Sequence, residues 1–336
     1  DWSRAWTRTF GGPGSDMAHA AHIEDDGSVI VLGQFSGSVD FDPGPGEDVR
    51  VARAEREAFV VKLRADGDYL WTRTFGGAGG CSGQGGVPFS CLGSAAYHAS
   101  SGGDGFVVVG TFSGTARFDS TLDGARHDSH GDSDIFVASI DARGQPIWTK
   151  TIGGAGRDAP TGVEVVDGSL FIAGEIDGSV DFDPGPAIVE GRSSQGNAFV
   201  MRLDRSGTFR WVKTFGGSAR VSLQGIRARS DRGAVIAGSV DRPFDADPGA
   251  GVSMLSGGSA FVIELSMDGE LLRARSFGRP TAPGRGLLYP LGLDVGSREI
   301  MLTGSVVGEV DISAGASSTR LTARGEGSTF VLHLPQ

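Results

Sequence analysis

Positive charge and cysteine are both scarce in this chain. Its 336 residues carry 30 basic and 41 acidic side chains, a formal net charge of −11, and two cysteines. Nucleic acids and anionic membrane surfaces are bound through basic patches, so an acidic chain indicates neither partner. Long apolar runs are also missing. No stretch approaches the length of a membrane-spanning segment, and we expect no membrane insertion.

Short catalytic motifs are absent as well. The chain contains no HExxH, no GxSxG and no P-loop, and its glycine-rich loops join strands without a following helix, which argues against a dinucleotide site. No stretch has convincing helical periodicity. No basic segment followed by an apolar one opens the chain, so we expect any export signal to have been removed from this sequence.

The chain instead repeats one phrase five times. Four copies of a strand pair, such as AFVVKLRADGDYLWTRTFGG, are intact, at Ala58–Gly77, Ile135–Gly154, Ala198–Gly217 and Ala260–Gly278. The fifth copy is divided between the two ends of the chain, at Trp2–Gly12 and Phe330–Gln336. A second phrase has a central glycine in every copy, at Gly33, Gly110, Gly174, Gly238 and Gly304. Repetition on this scale determines the fold.

Each repeat resolves into four strand signals. Period-2 alternation, as in Phe59, Val61 and Leu63, and enrichment in β-branched residues both indicate strands. Tight glycine turns separate the third and fourth strands, at Asp66-Gly67, Arg143-Gly144, Ser206-Gly207 and Asp268-Gly269. Tryptophan recurs at one position of the fourth strand, which predicts a place in the core between repeats rather than a sugar platform: Trp6, Trp71, Trp148 and Trp211.

Four antiparallel strands repeated five times around an axis predict an all-β fold, a five-bladed β-propeller that forms one domain over residues 1–336. The blades span about 13–77, 78–154, 155–217, 218–278 and 279–336, and residues 1–12 complete the last blade. The divided copy predicts a closed ring, because strand Trp6–Phe10 would pair with Phe330–Leu334 and remove an exposed sheet edge. The alternatives are a β-solenoid or a string of sandwiches. We expect a monomer.

Both cysteines, Cys81 and Cys91, lie in one glycine-rich loop before the second blade. A disulfide that clamps this loop is the natural interpretation, and it indicates an oxidising compartment. Closing so short a loop would contribute on the order of 2–3 kcal/mol of stability. The alternative is a pair of free surface thiols in a reducing compartment.

Several loops between the second and third strands carry the phrase DFDPG or a close variant. Each holds two aspartates: Asp40 and Asp42, Asp181 and Asp183, Asp245 and Asp247. Aspartates two positions apart on an extended strand point to one side, and oxygen ligands of this sort suit calcium. The alternative is a structural turn in which each aspartate accepts hydrogen bonds from its own turn amides. Blades two and five lack the full motif.

The loop from each fourth strand to the next blade opens on the same face of a propeller as the DFDPG loops. It carries a glycine turn followed by Asp16, Asp158, Arg220 or Arg285. Function on a rigid scaffold is usually carried by such loops, so these four residues mark a candidate ligand-binding face.

The phrases DGSVIVLGQFSGSVDFDPGPG and AFVVKLRADGDYLWTRTFGGAG resemble the bacterial SBBP-type β-propeller repeats, and the resemblance covers nearly the whole chain. It implies export to the extracellular space or the cell surface, a propeller and a binding role, and it supplies no catalytic residues.

The expected function is therefore a non-enzymatic scaffold that binds a glycan or a protein at its loop face. The alternative is a glycoside hydrolase or lyase with paired carboxylates near the propeller axis. An enzyme would gather unique acids from different blades at one point, whereas the acids of this chain recur blade by blade.

Overall fold

The computed structural model describes residues 5–24, 26–76, 97–99, 105–118, 126–195, 197–257, 259–280, 286–297, 299–313 and 318–335. The fold is all-β, as predicted, and a 3-10 turn at Ser193–Gln195 accompanies the antiparallel sheets. Within the described ranges, no helix has the length and apolar character needed to cross a membrane. The chain divides into two compact units, Asp1–Pro160 and Thr161–Gln336. The single domain over residues 1–336 stays a prediction.

The first unit contains repeats one and two. Repeat one forms a four-stranded sheet of order β1-β2-β5-β6, repeat two runs β7-β8-β11-β12, and two-stranded hairpins β3-β4 and β9-β10 follow the second strand of each. The strands are β1 (Met17–Ile23), β2 (Val29–Phe35), β3 (Ser38–Asp40), β4 (Val49–Val51), β5 (Glu57–Leu63), β6 (Tyr69–Phe75), β7 (Tyr97–Ala99), β8 (Phe106–Phe112), β9 (Thr115–Arg117), β10 (Arg126–Asp128), β11 (Asp134–Ile140) and β12 (Pro146–Gly154).

The second unit contains repeats three, four and five. Two four-stranded sheets, β13-β14-β17-β18 and β19-β20-β23-β24, are followed by a sheet in which β26 and β29 flank the long strand β27. The strands are β13 (Ala159–Val166), β14 (Ser169–Glu175), β15 (Ser179–Asp181), β16 (Glu190–Arg192), β17 (Ala198–Asp204), β18 (Phe209–Phe215), β19 (Val221–Arg229), β20 (Gly233–Val240), β21 (Phe244–Asp245), β22 (Met254–Leu255), β23 (Ser259–Leu265), β24 (Leu271–Phe277), β25 (Arg279–Pro280), β26 (Gly286–Val295), β27 (Glu299–Ser313), β28 (Ser318–Thr322) and β29 (Ser328–Pro335).

The predicted glycine turns between third and fourth strands are confirmed. Gly67, Gly144, Gly207 and Gly269 all have left-handed backbone, with φ between +77° and +85°. Glycine adopts this conformation without the steric cost that a Cβ atom imposes, which explains why it stands in the turn of all four repeats.

Within each unit, consecutive repeats pack through the apolar faces of their sheets. In the first unit, Ile30 and Leu32 of repeat one share a buried cluster with Phe106 and Val108 of repeat two. In the second unit, one cluster joins repeats three and four, and another joins repeats four and five. The alternation predicted from the sequence therefore places one side of a sheet against the preceding repeat and the other side against the following one.

The repeated tryptophan links each fourth strand to the next repeat. The indole N–H of Trp71 donates to the carbonyl of Ala142 (3.3 Å), and that of Trp211 donates to the carbonyl of Met267 (3.0 Å). Trp71 also stacks on Phe106, with ring centroids 6.0 Å apart. The predicted core position is thus confirmed for Trp71 and Trp211.

The predicted closing strand Trp6–Phe10 is not formed as a strand, and this expectation is corrected. Residues 5–10 carry no strand assignment, although Gly11 forms a bridge to Asp40. The indole of Trp6 instead donates to the carbonyl of Ala65 (2.9 Å), so side chains hold this segment rather than a backbone ladder. Phe330–Leu334 pairs with Ile300–Gly304 of β27. The closed ring stays a prediction, and Cys81 and Cys91 lie outside the described residues.

Candidate functional site

Within each unit, backbone pairing joins linker loops to hairpins. The loop that precedes repeat one bridges to its hairpin at Gly11 and Asp40, and the loop leaving repeat one joins the next hairpin at Gly76 and Arg117. In the second unit, Arg279 of β25 pairs with Asp311 of β27. Each junction connects a linker to the hairpin of the following repeat, and we call the linkers and hairpins of a unit its loop face.

The aspartates of the DFDPG phrase hold the hairpins closed. In repeat three, Asp181 Oδ1 accepts the amides of Asp183 (3.1 Å) and Val189 (2.9 Å). Asp183 Oδ1 then accepts the amide of Gly185 (2.7 Å). Repeats one and four reproduce this pattern at Asp40 and Asp42 and at Asp245 and Asp247. The geometry is that of a side-chain-capped turn.

The second oxygen of the later aspartate is also enclosed by the loop. A Cβ atom at Gly46 would lie 2.3 Å from Asp42 Oδ2, and one at Gly251 would lie 2.1 Å from Asp247 Oδ2. Among the described residues, no three His, Cys, Asp or Glu side chains come together in a group that could hold a metal ion. The observed hydrogen bonds favour the structural turn over the calcium site.

Replacing Asp181 by alanine is expected to lower the free energy of unfolding by about 1–2 kcal/mol, because two backbone amides lose their acceptor. Chemical unfolding measured with calcium and with EDTA should give the same loss. Asp268→Ala, which removes a carboxylate that is 90% exposed, is the control and should change little. Calcium that raised the melting temperature of the wild type but not of Asp181→Ala would instead establish a metal site.

Two of the predicted face residues anchor the linker loops. Asp16 Oδ2 accepts the amide of Gly12 (2.8 Å), and the fully buried Asp158 accepts the amide of Gly154 (2.8 Å) through Oδ2. Both carboxylates therefore have a structural role in their own loop. Their structural role could not be read from the sequence, where the two residues stood out only as recurring acids.

Arg220 occupies the same loop position in repeat four. There the carboxylate that accepts a loop amide belongs to Asp241, which follows the second strand of that repeat. The Arg220 amide donates to Asp241 Oδ1 (2.8 Å), and the Arg220 side chain is exposed. Of the four predicted face residues, Arg220 is thus the described one whose side chain is left at the surface. Arg285 lies outside the described residues.

The hairpin tips carry exposed apolar side chains that the sequence analysis did not single out. Ile188 is 80% exposed and Val252 is 76% exposed. Each directly precedes the residue whose amide caps the hairpin, Val189 or Ser253, so the two side chains stand at equivalent positions. Val49, Val51 and Met254, on the returning arms of the hairpins, are exposed as well. In each unit, the loop face thus offers apolar surface on hairpins that their own hydrogen bonds close.

A second group of candidate residues lies on the first strands of the sheets. Strands β1, β19 and β26 each contain a β-bulge, and an ionisable residue follows two positions beyond it: His22, Arg227 and Asp294. The phrase Gly162-Val163-Glu164 of β13 aligns with Gly225-Ile226-Arg227 and Gly292-Leu293-Asp294. In repeat two, His98 pairs with Val107 as His22 pairs with Ile30. Bulges redirect side chains and are frequent beside functional sites.

In the second unit, Glu164, Arg227 and Asp294 form a charged cluster. Glu164 and Arg227 form an ion pair (3.2 Å), and the Glu164 side chain is 19% exposed. Burial raises the pKa of Glu164 to about 7; the Arg227 guanidinium opposes this rise, and the nearby Asp294 carboxylate adds to it. The cluster therefore combines a carboxyl group that titrates near neutral pH with a second carboxylate, Asp294, and a guanidinium, Arg227. Perturbed pKa values of this kind mark candidate functional sites.

Comparison with models of known protein families and with curated proteins returned no match for this chain. The resemblance to SBBP-type repeats therefore rests on the phrases quoted above, and what the chain can do must be inferred from its own residues.

Proposed function

We propose that this chain is an exported or cell-surface, non-enzymatic β-propeller that binds a glycan or a protein through the tips of its hairpins. The bacterial SBBP-type resemblance supports the export, and the acidic composition favours a partner other than nucleic acid.

The proposed fold is a monomeric ring of five blades completed by residues 1–12. The support comes from the N-terminal segment itself. Trp6 contacts the turn of repeat one at Ala65 as Trp71 contacts the turn of repeat two at Ala142. The same turn glycines lie under both rings, at Gly67 and Gly144. On repeat one, the segment at Trp6 thus occupies the position that the fourth strand at Trp71 occupies on repeat two.

The observation that carries the proposed binding role is the exposure of Ile188 and Val252 at equivalent hairpin positions. Each hairpin is closed by its own aspartates, so the apolar tips are held out without a supporting core. Pre-organised loops bind with little loss of conformational entropy. Aliphatic contacts of this kind suit the apolar faces of sugar rings or the apolar residues of a protein surface.

The double variant Ile188→Ser with Val252→Ser is expected to lose ligand binding by about tenfold or more, since central contacts at an interface each contribute about 1–2 kcal/mol. Labelled protein applied to a glycan array measures this loss. Leu272→Ser is the matched control, because Leu272 is also an exposed aliphatic residue (52%) but lies at the opposite end of β24 from the loop face. Equal retention of the wild type and the double variant would contradict the proposal.

A hydrolase is the second candidate, because the charged cluster unites acids from different repeats. A carboxyl group with a pKa near 7 could donate a proton to a leaving group while Asp294 serves as the second carboxylate. The same glycans distinguish the two functions. New reducing ends that disappear in Glu164→Gln would assign a hydrolase, whereas retention without cleavage supports the binding module.

A further inference from the structure

A cavity of about 240 Å³ lies in the first repeat between the returning hairpin arm β4 and the fourth strand β6. Its walls combine guanidinium groups with hydroxyl groups, unusually for a chain whose net charge is −11. The polar residues that line it are Arg50, Arg53, Arg73, Thr72 and Thr74.

The three arginines of the cavity are held in different ways. Arg50 pairs with Asp48 (2.8 Å), and Arg53 pairs with the buried Glu57 (2.5 Å). Arg73 donates instead to backbone carbonyls, those of Gly144 (2.6 Å), Thr72 (2.8 Å) and Arg143 (3.2 Å). The carboxylates of Asp48 and Asp141 also attract the Arg73 guanidinium. Arg73 is thus the arginine of the cavity whose hydrogen bonds go to carbonyl groups.

One arginine that lines the cavity has a donor without a partner. The Nε atom of Arg50 is buried and has no hydrogen-bond partner. A buried donor without an acceptor is costly, because its hydration is lost and nothing replaces it. Burial and the neighbouring Arg50 guanidinium also lower the pKa of Arg73. An anion between the two arginines would accept the free N–H and relieve their repulsion.

The residue at the position of Arg50 differs from repeat to repeat, and this changes the charge of the cavity. By strand register, the position of Arg50 is occupied by His127, Gly191, Leu255 and Leu321 in the other repeats. None of these is an arginine, so the hairpin fold itself does not require one. The arginine pocket is thus a property of repeat one rather than of the scaffold.

We infer that this arginine pocket binds an oxyanion, the carboxylate or sulfate group of an acidic ligand. Guanidinium groups recognise such planar or tetrahedral anions through paired N–H donors, and threonine hydroxyls add further donors. The inference depends on repeat one alone and does not require the hairpin-tip binding proposed above.

Isothermal titration at constant ionic strength with sodium sulfate and with sodium glucuronate tests this site and distinguishes the two anions. We expect saturable binding of at least one of them to the wild type. Arg50→Gln should weaken it about tenfold or more, as expected for loss of a charge-assisted hydrogen bond. Arg192→Gln is the matched control, since it removes one charge from a hairpin arm in repeat three and should bind as the wild type does.

Thr74→Val keeps the charge and shape of the pocket and removes one hydroxyl, so it tests the site should Arg50→Gln fold poorly; a few-fold weakening is expected. The absence of binding for both anions, or equal binding by the wild type, Arg50→Gln and Thr74→Val, would overturn the inference. The Ile188→Ser, Val252→Ser variant should bind both anions normally, so this site and the proposed binding function can fail separately.

Discussion

Replacing Gly238 by alanine is expected to lower the free energy of unfolding by about 3 kcal/mol or more, since overpacking of a tight core is strongly destabilising. A Cβ atom there would lie 2.4 Å from the ring of Phe261 and 2.5 Å from the carbonyl oxygen of Ser222. The ring belongs to the third strand and the carbonyl to the first, so neither can withdraw without disturbing the sheet. Chemical unfolding followed by fluorescence measures the loss.

Gly217→Ala separates this crowding from the general cost of losing a glycine. Gly217 has left-handed backbone (φ +56°), and no atom would lie within 4 Å of an added Cβ. The control should therefore show only the backbone strain of about 1 kcal/mol. Equal losses in the two variants would show that close packing does not explain the central glycine of the repeat.

Replacing Glu164 by glutamine is expected to raise the free energy of unfolding by on the order of 2 kcal/mol at pH 8 and to change it little at pH 4. The pKa of Glu164 rises from an ordinary 4.5 to about 7 in the folded chain. The folded state therefore binds more protons than the unfolded state between these values. This contribution to stability is complete below pH 4.5 and is lost as the pH rises through 7.

Unfolding curves across this pH range measure the effect, because glutamine cannot ionise. Glu190→Gln is a control of opposite sign: hydrogen bonds from Ser179 and then Arg192 lower the pKa of Glu190, so its ionised form favours the folded state. That variant should show no gain at pH 8. A Glu164→Gln variant whose stability ran parallel to that of the wild type across the range would contradict the raised pKa.

The sequence was sufficient to predict the strands and turns because the backbone requirements recur with the residues. Gly67 and Gly144 need the same left-handed φ, and Trp71 and Trp211 need the same partner turn, so repetition made each visible. The segment at Trp6 carries the same side chains, yet it forms no strand. A repeated residue predicts the contacts of its side chain, but a β-strand also needs a neighbouring strand whose backbone accepts and donates its hydrogen bonds.

The candidate sites were predicted less completely, because their residues do not repeat. Glu164, Arg227 and Asp294 share a backbone position but differ in charge, so they do not form a recurring pattern in the sequence. Arg50 has no counterpart in the other repeats. Conversely, Asp181 and Asp183 recur because each holds a turn together, which is a structural requirement of the hairpin.

The closure of the DFDPG hairpins has a practical consequence for protein engineering. Asp181 accepts hydrogen bonds from amides two and eight positions further along the chain. The backbone is therefore held by the same carboxylate on both sides of residues 186–188. Foreign sequence inserted between these two hydrogen bonds can vary in length and chemistry, because the bonds hold both ends of the insert in place. Residues 45–47 and 250–252 offer the same insertion point if Gly46 and Gly251 are kept, since a side chain there would meet Asp42 or Asp247. The chain can therefore carry several grafted loops at once.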